Sequence, residues 1–148
     1  MKIYIGSDHA GFPLKEKIKK TLGKTVAFVD VGTSSEVSVD YPIYAEKVAA
    51  EVARNPGTLG ILACGSGIGM SMAANKVPGV RAALAYSVNA ATLARQHNNA
   101  NVLALPGREG AMDDPIDIVM AFLNTDFSGD ERHTRRVRQI EDIEKHYD

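Results

Sequence analysis

Five short runs of aliphatic and β-branched residues recur along this chain, and a longer helical pattern follows each of them. Residues 2–6 ("KIYIG"), 25–31 ("TVAFVDV"), 59–63 ("LGILA"), 80–86 ("VRAALAY") and 101–105 ("NVLAL") read as strands. Residues 12–22 place apolar side chains at 14, 18 and 22, one face of a helix closed by Gly23. Residues 41–54 form a second helical pattern, with Pro42 in its first turn and Pro56-Gly57 ending it. Further helices are expected over 67–76, 88–97, 115–124 and 132–146. Parallel strands need a crossover between them, and a helix is the usual one. The alternation therefore predicts an α/β fold: one doubly wound, Rossmann-like three-layer sandwich around a five-stranded parallel sheet, spanning residues 1–148 as a single domain. A chain of this length can bury about 70% of the surface its unfolded form exposes.

Charge and cysteine content narrow the function. The net charge is -1, which supplies no field for nucleic acid or an anionic membrane, although a local basic cluster, "ERHTRRVR", occurs near the C-terminus. The opening residues turn polar too soon for a secretory leader, and no apolar run approaches 18 residues. Cys64 is the only cysteine, so no internal disulfide can form, which suits a reducing, cytoplasmic setting.

In open parallel sheets, ligands bind beyond the carboxyl ends of the strands. That rule singles out "GSDHAG", "GTSSE", "CGSGIG" and "PGREG". Asp8, His9, Cys64, Ser66 and Arg108 are expected to meet on one rim. The central stretch, "LGILACGSGIGMSMAANK", carries Gly65, Gly67 and Gly69 directly after the cysteine. Such loops bare backbone N–H groups, and anions are their natural guests. Three familiar loops do not fit. A dinucleotide fingerprint needs G-x-G-x-x-G, a Walker loop needs a Lys after its last glycine, and a cysteine phosphatase needs Arg where Met70 stands. What remains is an anion loop with a thiol at its entrance. Ordinary thiols are only about 3% ionised at pH 7, and N–H groups at a helix start favour the thiolate. Cys64 is then either a general base or nucleophile, or a small buried hydrophobe ending a strand.

Other residues carry two readings each. His97, ending a helix before "NNAN", either answers the helix dipole or transfers protons. His133 sits in the basic cluster, with a surface position left as one open reading, and His146 reads as solvated. Arg132 and Arg136 share a helix face, either as solvated charge or as a two-pronged phosphate clamp. No histidine or cysteine spacing matches a metal motif, and no metal is expected.

Taken together, "GSDHAG", "DVGT", "DYP", "CGSGIGMSMAANK", "GVRAA", "ARQHNNANVLALPGR" and "RHTRRV" resemble the type B ribose-5-phosphate isomerases and their relatives acting on allose and galactose 6-phosphates. The resemblance spans nearly the whole chain. It implies an aldose–ketose isomerase without metal or organic cofactor, acting on ribose 5-phosphate or, alternatively, on a six-carbon sugar phosphate. It implies a homodimer or dimer of dimers, with active sites at the subunit interface and the C-terminal helix, about residues 130–146, contributing to it. By position, Cys64 matches the base for the C2 proton, His97 the residue that opens the furanose ring, and Ser66 a hydroxyl where many members have Thr. Gly65, Gly67, Ile68 and Gly69 match the loop that holds the enediolate. Asp8, His9 and Asn98 match sugar-binding positions, and Arg108, Arg132 and Arg136 positions near the phosphate. Some relatives use a nearby Glu as base; this chain keeps the cysteine. A sugar-phosphate-binding subunit without turnover would need the loop and the arginines but neither Cys64 nor His97.

Overall fold

The computed structural model describes residues 1–147. Five strands and six helices alternate as β1 (Lys2–Ser7), α1 (Phe12–Leu22), β2 (Ala27–Asp30), α2 (Tyr41–Arg54), β3 (Leu59–Cys64), α3 (Ile68–Ala74), β4 (Ala82–Leu84), α4 (Val88–Asn98), β5 (Val102–Pro106), α5 (Pro115–Asn124) and α6 (Glu131–His146). Every strand pairing is parallel, in the order β2-β1-β3-β5-β4. The chain thus moves outward from β1 to β2, crosses back to β3, then reaches the far edge at β4 before inserting β5. The reversal beside β1 and β3 opens a crevice at their carboxyl ends, where Ser7 pairs with Ala63 and Cys64 with Pro106.

Strand alternation divides the core in two. Ile3, Ile5, Ile61, Ala63, Leu103 and Leu105 face α1, α4 and α5, which bury Leu14, Ile18, Ala91, Ile118 and Phe122. On the other face Tyr4, Leu62, Cys64, Val102 and Ala104 pack against Val48 and Val52 of α2 and Met70 and Ala74 of α3. Burying one such large side chain fully contributes about 1.5–3 kcal/mol, so the sheet is held from both sides. The helix α6 belongs to neither cluster. Its buried side chains are His133 and Val137, and it lies against α4.

Two strands are shorter than the sequence suggests: the second runs Ala27–Asp30 rather than 25–31, and the fourth is shortened more. The fourth strand is cut from residues 80–86 to Ala82–Leu84 because side chains replace its ladder at the start. The Arg81 N–H donates to Asn101 Oδ1 at 2.7 Å. Asn75 meets Ala82 twice, accepting from its N–H at 2.8 Å and donating to its carbonyl at 2.9 Å. Asn75 stands there as a substitute for a neighbouring strand. On α1 the buried face also includes a charge: Lys15 is 1% exposed. Its ammonium donates to both Asp30 oxygens, at 2.7 and 2.8 Å, and to the Thr33 carbonyl. The Asp30 carboxyl also accepts from Lys19 at 2.7 Å and from the Gly32 N–H at 2.8 Å. Burial alone would raise this carboxyl; the three donors outweigh it and hold it below the ordinary carboxylate range. Lys15 thereby fastens the end of β2, and the loop after it, to α1.

Candidate active site

At the carboxyl end of the sheet three loops close on one another. The Asp8 N–H donates to the Ala63 carbonyl at 3.2 Å, and Asp8 Oδ1 accepts from the Gly11 N–H at 2.9 Å. A Cβ on Gly11 would lie 2.1 Å from the Ala63 oxygen, and one on Gly107 2.7 Å from Gly11 Cα. Only bare backbone allows this approach. From β5, the Gly107 N–H donates to the Cys64 carbonyl at 2.6 Å and the Arg108 N–H to the Gly65 carbonyl at 3.2 Å. The Arg108 guanidinium lies 3.8 Å from where a Gly65 Cβ would stand. His9 is held by the loop before α2, its Nδ1 3.2 Å from both the N–H and the carbonyl of Val39. The geometry brings Asp8, His9, Cys64, Ser66 and Arg108 to one rim.

The glycine loop itself is wound around the sulfur. The Gly67 N–H points at Cys64 Sγ, 3.2 Å away, a contact that strengthens when sulfur carries charge. The thiol is 4% exposed and packs with the apolar core of its face, as the buried-hydrophobe reading expects. Gly67 adopts a left-handed φ of 79°, and a Cβ there would meet Leu84 at 2.6 Å and the Leu105 backbone at 2.9 Å. Ser66 Oγ accepts from the Ile68 N–H at 3.2 Å, and the Ser66 carbonyl accepts from the Tyr86 hydroxyl at 2.8 Å. Ser66 and Ile68 are exposed at the mouth of the loop. Tyr41, absent from the sequence expectations, covers Gly69: a Cβ on that glycine would fall 2.5 Å from its ring. The "DYP" motif was the available signal, but nothing local tells a first-turn tyrosine which loop it will cover.

The remaining expected residues lie elsewhere. The helix α4 runs back from the carboxyl edge, so its last turn, with His97 and Asn98, reaches the amino edge beside the start of β5. Eleven helical residues separate the two levels, about 16 Å. The first turns of α6 join His97 there. The His97 and His133 rings lie 4.3 Å apart between centroids, tilted by 31°. Arg132 and Arg136 flank them, both exposed, as are His97 and Asn98. Within one chain, then, Cys64 and His97 stand at opposite ends of the sheet.

The structure decides the reading of His133 that the sequence left open. His133 is 5% exposed rather than a surface residue, because α6 turns it onto α4. Its Nδ1 lies 2.6 Å from Ser128 Oγ, and Arg132 Nε lies 3.5 Å from its Nε2. Burial and the neighbouring charges of His97, Arg132 and Arg136 push its pKa below the ordinary histidine value, against a weaker pull from Asp130. Among the described residues no three His, Cys, Asp or Glu side chains gather as metal ligands, and no helix is long and apolar enough to cross a membrane.

Comparison with known proteins places this geometry. Ribose-5-phosphate isomerase B of Mycobacterium tuberculosis is 42% identical over 147 residues, covering 98% of this chain and 91% of its own. The structure of Clostridium thermocellum ribose-5-phosphate isomerase B matches with a TM-score of 0.95 at 46% identity, over 100% of both chains. That of the Mycoplasma genitalium enzyme, with bound ribulose-5-phosphate, matches at 0.91 and 47% identity over 97% and 96%. The model of one family, Ribose/Galactose Isomerase, matches residues 3–140, a span running from β1 through both halves of the candidate site into α6. With the family model covering nearly the whole chain and relatives above 40% identity, the chain belongs to the Ribose/Galactose Isomerase family.

Proposed function

We propose that this protein interconverts ribose 5-phosphate and ribulose 5-phosphate, by ring opening followed by proton transfer through an enediolate. The observation that carries the reading is the Gly67 N–H aimed at Cys64 Sγ inside a loop of bare backbone, on a rim shared with Asp8, His9 and Arg108. The relatives named for the five-carbon sugar favour it over allose or galactose 6-phosphate.

Ring opening needs a group that removes the O1 hydroxyl proton while O4 gains one; the C1–O1 bond becomes a carbonyl and the C1–O4 bond breaks. His97 has this role. The Cys64 thiolate then takes the C2 proton, and charge develops on O1. N–H donors of the Gly65–Gly69 loop, already in place, hold that oxygen; one such donor is worth about 10²–10³ in rate. Ser66 relays the proton between O1 and O2, and Cys64 returns its proton to C1, giving the ketose. Asp8, His9 and Asn98 bind the sugar hydroxyls. Arg108, Arg132 and Arg136 hold the phosphate, whose remote binding energy fixes the reacting carbons.

His97, Asn98, Arg132 and Arg136 cannot reach Cys64 of their own chain. A homodimer, alone or paired into a dimer of dimers, supplies them from a second copy, with the C-terminal helix at the interface. No metal or organic cofactor enters this chemistry, and a cytoplasmic setting suits the thiol.

The test is conversion of ribose 5-phosphate with EDTA present, in wild type and Cys64→Ala. Turnover in wild type, with a loss of about 10²–10⁴ in the variant, is expected. Two inactive proteins would overturn the substrate; two active ones would overturn the base.

A further inference from the structure

We infer that His133 is a positioning residue for ring opening: its buried ring is the wall that sets the orientation of the His97 imidazole and links it to Arg132. The inference rests on the reading of His97 given above and goes beyond it, since His133 has no part in the proposed chemistry.

Four observations converge. His97 is exposed and its ring carries no hydrogen bond from another described residue, so its orientation comes from packing. The surface it packs on is His133, 4.3 Å away between ring centroids. That surface is itself fixed: His133 Nδ1 is 2.6 Å from Ser128 Oγ, which also accepts from the Asp130 N–H at 3.1 Å, while the Ser128 N–H donates to the Gln96 carbonyl at 3.0 Å. The loop before α6 therefore grips both the residue preceding His97 and the ring beneath it. Finally, Arg132 Nε addresses His133 Nε2, which a neutral ring offers as an acceptor. With Nε2 accepting, Nδ1 carries the proton and donates to Ser128. One small ring thus touches a proposed phosphate ligand on one edge and the proposed ring-opening residue on its face. A misplaced proton-transfer group loses rate steeply, about 10²-fold for an ångström.

The experiment uses the asymmetry of the two substrates. Ribose 5-phosphate is a furanose and must be opened. Ribulose 5-phosphate is acyclic, because the oxygen that would close its ring carries the phosphate. Initial rates are measured in both directions for wild type, His97→Ala, His133→Ala, His133→Phe and Ser128→Ala, with thermal melting to confirm folding. His133→Ala is expected to lose about 10–100-fold from ribose 5-phosphate and less than about 3-fold from ribulose 5-phosphate. His133→Phe, which keeps a ring face, recovers much of that loss. Ser128→Ala, which alters only the exposed anchor, shows the same selectivity at about 3–10-fold and keeps the test valid if the alanine at 133 unfolds the helix. Equal losses in both directions, or none, in the 133 and 128 variants would overturn the inference while a direction-selective His97→Ala left the ring-opening reading standing. A His97→Ala without selectivity overturns both.

Discussion

The rim around Cys64 and the cluster around His97 are built in opposite ways. At the rim, position is set by backbone: three loops touch through Gly11, Gly65 and Gly107, and the sulfur is addressed by a main-chain N–H. At the other end, position is set by side chains on two helices, one of which lies outside both core clusters. The rim is therefore rigid within a single chain. The His97 cluster is ordered by a stacked ring and one serine, and presents its charges to whatever docks there. Rigid donors suit a developing oxyanion, and long cationic side chains suit a mobile phosphate.

The comparison breaks most sharply in mixed dimers, which the homodimer proposed above would form. Cys64→Ala and His97→Ala are each expected to be nearly inactive from ribose 5-phosphate. Random exchange between them gives about half mixed dimers, each with one site intact, hence about a quarter of wild-type turnover. No recovery on mixing would show that both residues serve the same chain's site. Next in size is Gly67→Ala. Its left-handed φ and the 2.6 Å approach to Leu84 forbid a side chain, so the loop must shift, and kcat should fall about 10²–10³-fold. A change confined to KM would contradict the rigid-donor picture. Arg136→Ala, in the cluster built from side chains, should instead raise KM about tenfold with a smaller effect on kcat; steady-state kinetics separate the two.

The smallest effect concerns stability. Asp30 is held below its ordinary range in the folded state, so it stabilises the fold above the unfolded value, and that contribution fades as pH falls through the folded one. Asp30→Asn should melt a few degrees below wild type at pH 7, with the gap closing below about pH 4. A gap unchanged in acid would mean that Lys15 and Lys19 do not stabilise the carboxylate.

How far the sequence reaches differs in the same two regions. The helices over Phe12–Leu22, Tyr41–Arg54 and Pro115–Asn124 fall where periodicity, Pro and Gly place them, because those signals are local. The meeting of Asp8, Cys64 and Arg108 was legible too, since parallel strands send their following loops to one edge. The insertion of β5 between β3 and β4 was not: "NVLAL" and "VRAALAY" are both apolar, and burial separates them only after folding. Lys15 hid for a related reason. A charge beside Leu14 reads as solvent-facing until Asp30, fifteen residues on, is seen to meet it. His133 carried no local sign of burial either, sitting between Arg132 and Thr134 with Arg135 and Arg136 just beyond.

Asn75 has a consequence beyond its own two hydrogen bonds. β4 ends the sheet, and the terminal strand of any sheet is a template on which another chain can polymerise. At Ala82 the side-chain amide already occupies both the donor and the acceptor that an incoming strand would read. It behaves as a chain stopper does in a growing polymer: the ladder is closed chemically at its last rung, and a further strand finds nothing there to copy.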